Sequence, residues 1–268
     1  MDWLDLLKEC SQRMRKEVLP FFGSPDAAIG FGTGAGGDVM RKIDLVAEKA
    51  LIDVLEDHEA SCTLISEETG TKKIGTQPSE FYLTTDPVDG TTNAVRGLPF
   101  MATSIAVSKA PYLKDVETAL VSDLFHNVTY TAQRDKGAFR NGKKIKPSQT
   151  SSLEEAVVGV DFNTLRLGEL IASLEEVLIR TRHLRHFGAN ALEICYVADG
   201  TTDAFIDIRG KLRVTDVAAA YLILLEAGGI IVTPEGTELN VPLAPDQKVA
   251  FIAAANEKIY KIIKEFLA

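Results

Sequence analysis

Eight consecutive residues, Asp86-Pro87-Val88-Asp89-Gly90-Thr91-Thr92-Asn93, restrict this chain more than any other feature. They follow Phe81–Thr85, an aromatic and β-branched run with the composition of a strand. Pro87 fixes the backbone just past Asp86 and holds Asp86 and Asp89 in one turn. With the Val88 side chain turned away, its carbonyl is left as a neutral ligand. Gly90 lets the backbone approach an anion closely, and successive N–H groups at Gly90, Thr91 and Thr92 suit a phosphate. A second strand-like run, Cys62–Ile65, leads through Ser66 into Glu67-Glu68. Two unit charges 4 Å apart repel by about 1 kcal/mol in water and about 4 kcal/mol at an effective dielectric of 20. Such carboxylates either point apart into solvent, as an Asp cap before a short helix would, or share a cation. Oxygen-only ligands select hard cations, Mg²⁺ first and Mn²⁺ next.

The rest of the chain sets the frame for that site. Its 268 residues are 46% hydrophobic and 25% charged, which excludes a mostly disordered chain. A net charge of −9 argues against nucleic acid as a partner. Cys10, Cys62 and Cys195 show no metal-ligand spacing and read as reduced thiols of a cytoplasmic protein. Met1-Asp2-Trp3-Leu4-Asp5 lacks the basic and apolar regions of a secretory signal, and no run suits a membrane span. His183-Leu184-Arg185-His186 reads as a basic surface turn rather than a zinc set.

Apolar spacing predicts a first helix ending at Pro20, a glycine-rich loop over Gly30–Gly37, and a second helix over Asp38–His58 with Asp38 at its cap. Strands are predicted at 62–65, 81–85, 103–107, 119–121 and 128–132, with a tight hairpin turn at Asn141-Gly142. Beyond a polar join near 148–152, strands at 157–160, 204–208, 230–232 and 249–253 alternate with helices at 165–179, 189–197, 217–227 and 257–267. Residues 1–150 thus read as α+β and 151–268 as α/β.

The chain resembles the inositol monophosphatase superfamily of Mg²⁺-dependent, lithium-sensitive phosphatases. The resemblance rests on residues 86–93, on Glu67-Glu68 after a strand, on Val214-Thr215-Asp216-Val217-Ala218-Ala219-Ala220, and on the hairpin Gly137–Gly142. In the third motif Thr215 replaces the family's Trp and Ala220 its Gly, which alters packing and keeps the aspartate. Gly32–Asp38, Lys42-Ile43-Asp44, Leu64–Glu68 and Phe187-Gly188-Ala189-Asn190-Ala191 are similar to the archaeal branch, whose members act on inositol monophosphates and fructose 1,6-bisphosphate. The resemblance implies a single domain over 1–268, with a layered αβαβα sandwich of the inositol monophosphatase and fructose-1,6-bisphosphatase type. It also implies a homodimer.

The same resemblance implies roles for particular residues. Glu67, Asp86 and the Val88 carbonyl would hold one Mg²⁺. Asp86, Asp89 and Asp216 would hold a second, and Glu67 or Asp38 would touch a third. Glu67, Thr91 and Asp44 would orient and deprotonate the attacking water. Asp89, Gly90, Thr91, Thr92, Gly188, Asn190, Arg209 and Arg185 would contact the phosphate ester. Residues 32–37 would form a flap over the metals. Among the basic residues Arg180, Arg182, Arg185, Arg209, Lys211 and Arg213, Arg209 is the preferred clamp for a second phosphate, against a solvated basic face. Competing readings are a 3′-phosphoadenosine 5′-phosphate or NADP phosphatase, a non-catalytic RNA or transcription regulator, and a sensor that binds without hydrolysis.

Overall fold

In the computed structural model, which describes residues 2–37 and 39–267, the chain opens with α1 (Trp3–Val18), whose first turn is capped by the Asp2 carboxylate. Leu7, Cys10, Met14 and Val18 are fully buried along one stripe, at the spacing that predicted the helix. The glycine-rich segment is not simply a loop. Strand β1 (Gly30–Thr33) pairs antiparallel with β2 (Val39–Arg41). The second helix, expected from Asp38, therefore begins later, as α2 (Lys42–Asp57). Its first turn is closed from inside, because the Asp44 carboxylate accepts the Arg41 N–H at 3.0 Å. Asp38 lies outside the described residues.

A sheet of eight strands follows: β3 (Cys62–Ser66), β4 (Gly70–Ile74), β5 (Tyr82–Asp89), β6 (Ala102–Ser108), β7 (Val116–Asp123), β8 (Val128–Gln133), β9 (Gly137–Arg140) and β10 (Lys143–Lys144), in the order β10-β9-β8-β7-β6-β5-β3-β4. The short helix α3 (Thr91–Arg96) leaves the end of β5. Asn141 and Gly142 both have positive φ, 48° and 75°, as a two-residue hairpin turn requires. β5 runs further than predicted and includes Asp86–Asp89, with an irregular register between those two residues.

The second sheet contains β11 (Val157–Val160), β12 (His183–Arg185), β13 (Ala204–Arg213), β14 (Ile230–Val232) and β15 (Lys248–Ala254), ordered β12-β11-β13-β15-β14. Its helices are α4 (Leu167–Arg180), α5 (Asn190–Asp199), α6 (Val214–Ala227) and α7 (Glu257–Phe266). β11 is parallel to both neighbours, whereas β15 is antiparallel to both of its own, so the alternating α/β pattern reverses at the end. The predicted surface turn at 183–186 is an exposed edge strand over 183–185, because those residues pair with Val157–Gly159.

Three apolar clusters define the layers. One joins α1 and α2 to the eight-stranded sheet, one fills the space between the sheets around α5 and α6, and one packs α4 and α7 on the outer face of the five-stranded sheet. Helix α6 is buried from Val214 to Leu224 without a solvated face, as a helix apolar all round must be. The result is the layered αβαβα sandwich. It places the ends of β3, β5 and β13 around one opening. Ser66 and Thr85 are register partners on parallel strands, so Glu67 and Asp86 leave the sheet at the same level.

Candidate active site

Glu67 after β3, Asp86 in β5 and Asp216 in the first turn of α6 meet there, with one oxygen of each within 4.8 Å of the others. Asp86 and Asp216 are buried. Burial raises the pKa of all three carboxyls, and for Glu67 and Asp86 repulsion from neighbouring carboxylates adds to it. Asp216 pushes Glu67 up, and Glu67 and Asp216 push Asp86 up, while the Arg213 guanidinium pulls Glu67 and Asp216 back down. The donor set is all oxygen, compact and over-supplied with negative charge, which fits a hard divalent cation.

The surroundings hold these oxygens in place. Asp86 Oδ1 accepts the Val88 N–H at 3.0 Å. The Val88 side chain is buried in the core beside α1 and α2, and its carbonyl accepts the Thr91 hydroxyl at 2.9 Å. Thr91 Oγ1 also lies 3.1 Å from Asp44 Oδ1, whose carboxyl burial raises to about 6. Asp89 stands apart from the trio. Its two oxygens accept the Asn190 and Ala191 N–H groups at 3.0 and 2.7 Å, so it caps α5. Burial, followed by the charge of Asp216, raises the Asp89 pKa.

These groups line a cavity of about 1040 Å³, together with Gly90, Thr92, Gly188 and Asn190. Gly90 adopts φ +89°, and a Cβ there would sit 3.0 Å from the Phe100 carbonyl, so the close approach needs glycine. The basic residues fare differently. Arg209 lines the cavity, but its guanidinium is already occupied: Nη2 lies 2.7 Å from Asp161 and 2.5 Å from Asp207, Nε 2.9 Å from Asp207, and Nη1 donates to the Asn163 carbonyl. The guanidinium expected to clamp a second phosphate is thus engaged by Asp161, Asp207 and the Asn163 carbonyl. Arg185 lies on the edge strand outside the cavity lining, with Nη1 on the Leu184 carbonyl.

Three contributors escaped the sequence reading of roles. Asn93 donates from Nδ2 to the Phe100 and Phe187 carbonyls at 2.8 and 2.7 Å, tying α3 to the 187–190 loop. Glu193 is buried and accepts the Phe187 and Gly188 N–H groups through Oε1. An acid among the apolar residues of α5 was the available signal. Arg213 bridges Glu67 and the Gly36 carbonyl. Its place three residues before Asp216 was the clue.

Residues 14–267 match the sequence profile of the Inositol monophosphatase family. The chain is 34% identical to a fructose-1,6-bisphosphatase/inositol-1-monophosphatase of Methanothermobacter thermautotrophicus, over 99% of this chain and 96% of that protein. It is also 34% identical, over 97% of its length, to a bifunctional NADP phosphatase/NAD kinase of Methanococcus maripaludis, of which it spans 48%, about half. Among solved structures, it matches a crystal structure of an inositol monophosphatase-fructose 1,6 bisphosphatase with a TM-score of 0.87 and 31% identity, over 100% of both chains. It matches an IMPase of Thermotoga maritima with a TM-score of 0.82 and 27% identity, over 99% of this chain and 96% of that one.

Proposed function

The chain belongs to the inositol monophosphatase family, and from that premise we propose that it is a Mg²⁺-dependent phosphomonoesterase acting on small sugar and polyol phosphates, inositol 1-phosphate and fructose 1,6-bisphosphate among them. The convergence of Glu67, Asp86 and Asp216 within 4.8 Å carries this reading. In it, Glu67, Asp86, the Val88 carbonyl, Asp89 and Asp216 hold Mg²⁺, and Asp38 completes a weaker site. Mn²⁺ can substitute, as the same oxygen donors suit it. When bound, Mg²⁺ supplies positive charge to the phosphoryl group and acidity to water.

The chain's own groups do the rest. The Gly90, Thr91 and Thr92 amides, at the turn where Gly90 has positive φ, face the phosphoryl oxygens. Thr91 Oγ1, held between Asp44 and the Val88 carbonyl, orients the attacking water by accepting one of its protons. Glu67 receives or orients the proton released on attack. Gly188 and Asn190, fixed by Glu193 and Asp89, flank the ester. The reading includes a single domain, a homodimer and a cytoplasmic, lithium-sensitive enzyme; light scattering checks the assembly and LiCl inhibition the last property.

A second substrate class has a specific observation behind it. Leu98, 53% exposed, and Phe187, stacked on Phe100 at 4.8 Å, present apolar surface, and both residues line the same cavity. Together with the identity to the NADP phosphatase relative, this supports NADP or 3′-phosphoadenosine 5′-phosphate as an alternative. Phosphate release with Mg²⁺ separates the readings on a panel of inositol 1-phosphate, fructose 1,6-bisphosphate, 3′-phosphoadenosine 5′-phosphate and NADP, using wild type and Asp89→Asn. Release from the first two, lost in the variant, supports the main reading. Release from the nucleotides alone transfers it to the second. No release from any substrate refutes both and favours a binding or regulatory protein.

A further inference from the structure

We propose that Arg213 is a positioning residue that ties the glycine-rich flap to Glu67 and competes with the bound cation for that carboxylate. The inference rests on reading the Glu67–Asp86–Asp216 trio as the cation site.

Arg213 ends β13, and its backbone N–H is accepted by Asp216 Oδ2 at 3.0 Å. Its root is therefore fixed to one carboxylate of the trio. Its guanidinium reaches across the opening. Nη1 lies 2.7 Å from Glu67 Oε1, and Nε donates to the Gly36 carbonyl at 3.0 Å. The fork is planar and rigid, so the position of one partner constrains the other. The Arg213 and Glu67 side chains are only 10% and 15% exposed, which limits screening of the pair.

The flap is built for this contact. The Ala35 and Gly36 N–H groups donate to the Glu68 and Glu67 carbonyls at 2.9 and 2.8 Å, so the flap backbone already lies along the turn that carries the acids. A Cβ at residue 36 would collide with the Arg213 guanidinium. What Gly36 packs against is this side chain, which a Cβ there would displace.

A divalent cation at the trio shares Glu67 with the guanidinium and repels it. Removing the guanidinium vacates a Glu67 oxygen and removes a like charge, and both changes tighten cation binding. The same removal releases the Gly36 carbonyl and loosens the flap. A side chain of purely structural importance would not tighten the cation when lost.

Mn²⁺ titration followed by electron paramagnetic resonance, together with chymotryptic cleavage after Phe31 mapped by mass spectrometry, reads the two effects on the whole protein. Phe31 lies in β1 of the flap hairpin and is 52% exposed. Arg213→Gln is expected to bind Mn²⁺ on the order of tenfold more tightly and to be cleaved faster. Arg213→Lys keeps the charge without the fork, so it is expected to bind Mn²⁺ as wild type does and still be cleaved faster. Thermal unfolding confirms that each variant is folded; if the Gln variant is not, the Lys variant decides through its cleavage rate. Unchanged cleavage in the folded variants, or Mn²⁺ binding by Arg213→Gln that is equal or weaker, overturns the inference. Wild type that fails to bind Mn²⁺ defeats the cation-site reading itself, a separate outcome.

Discussion

Two acidic clusters flank one cavity, and they are neutralised differently. On one wall, Asp161 and Asp207 share the Arg209 guanidinium, which meets both carboxylates within 2.7 Å. On the other, three carboxylates converge within 4.8 Å, and one guanidinium, Arg213, reaches the edge of the group at Glu67. The first cluster carries its cation in the sequence. The first sets one guanidinium against two carboxylates and the second one against three, and in the second, burial and then, for Glu67 and Asp86, the neighbouring carboxylates raise the carboxyl pKa values. The more negative charge a buried cluster leaves uncompensated, the better it suits an ion from solution.

Substitutions should separate the two walls by the sign of their effects. Asp216→Asn is expected to lower phosphate release on the order of 10³-fold. The same change should raise the melting temperature of the metal-free protein, since it relieves repulsion among buried carboxylates. A metal-free variant that melts lower would contradict the account of a strained trio. Arg209→Met should do the opposite. It leaves Asp161 and Asp207 buried without their cation and should cost about 3–5 kcal/mol in chemical denaturation, with Mn²⁺ affinity unchanged. A large change in that affinity would show the two walls to be one electrostatic unit.

Glu67 and Asp86 were legible as carboxylates at strand ends, whereas Asp216 entered only through the family resemblance. Glu67 and Asp86 follow β-prone runs, and parallel register brings runs of that kind level. Asp216 opens a long apolar stretch, and that stretch folds as α6, a helix buried without a solvated face. The replacement of Trp by Thr215 left Asp216 in place, since Thr215 is itself buried in the same first turn. The ion pairing of Arg209 was hidden for a physical reason. Its partner Asp207 is two residues away, but Asp161 comes from β11's end, far along the chain, and only the folded sheet shows that the guanidinium is occupied. The flap hairpin was equally hidden, because Gly30–Thr33 and Val39–Arg41 have no strand-like alternation, and their burial pattern is almost wholly exposed. Helix and strand periodicity supplied the α+β and α/β halves and the family resemblance implied the layered sandwich, whereas the reversal of β15 was marked by neither, since direction leaves no mark on a short apolar run.

Cation binding sharpens the comparison further. A ligand at about 100 times its dissociation constant stabilises the folded state by about 2.7 kcal/mol, which for a chain of this size raises the melting temperature by roughly 5–10 °C. Mg²⁺ should produce such a rise in wild type and in Arg209→Met, and EDTA should reverse it. Asp216→Asn should show little of it. Equal shifts in all three proteins would place the stabilising cation somewhere other than the trio.

Glu193 sits electrostatically between the walls and gives the smallest and most pointed test. Burial raises its carboxyl to about 7 despite the Gly188 and Phe187 amides that favour its charge, and the charges of Asp161 and Asp207 add to the rise. Its charge in turn contributes to the raised pKa of Asp89. With the folded value above the ordinary 4.5, the native state holds the extra proton, and stability falls as pH rises through the window between them. Glu193→Gln keeps an oxygen for the two amides and has no charge to lose. Below pH 4.5 the two proteins should differ only by the pH-independent cost of the amide NH₂ in the variant. Above pH 7 the variant should be more stable, on the order of 2 kcal/mol, a gain reduced by an amide NH₂ placed where Glu193 Oε2 makes no hydrogen bond. Both are measured with Mg²⁺ saturating, so that the trio stays charged throughout and contributes no slope of its own. A difference that does not vary with pH would mean that Glu193 is ionised across the range, and that the two acidic walls do not act on each other through it.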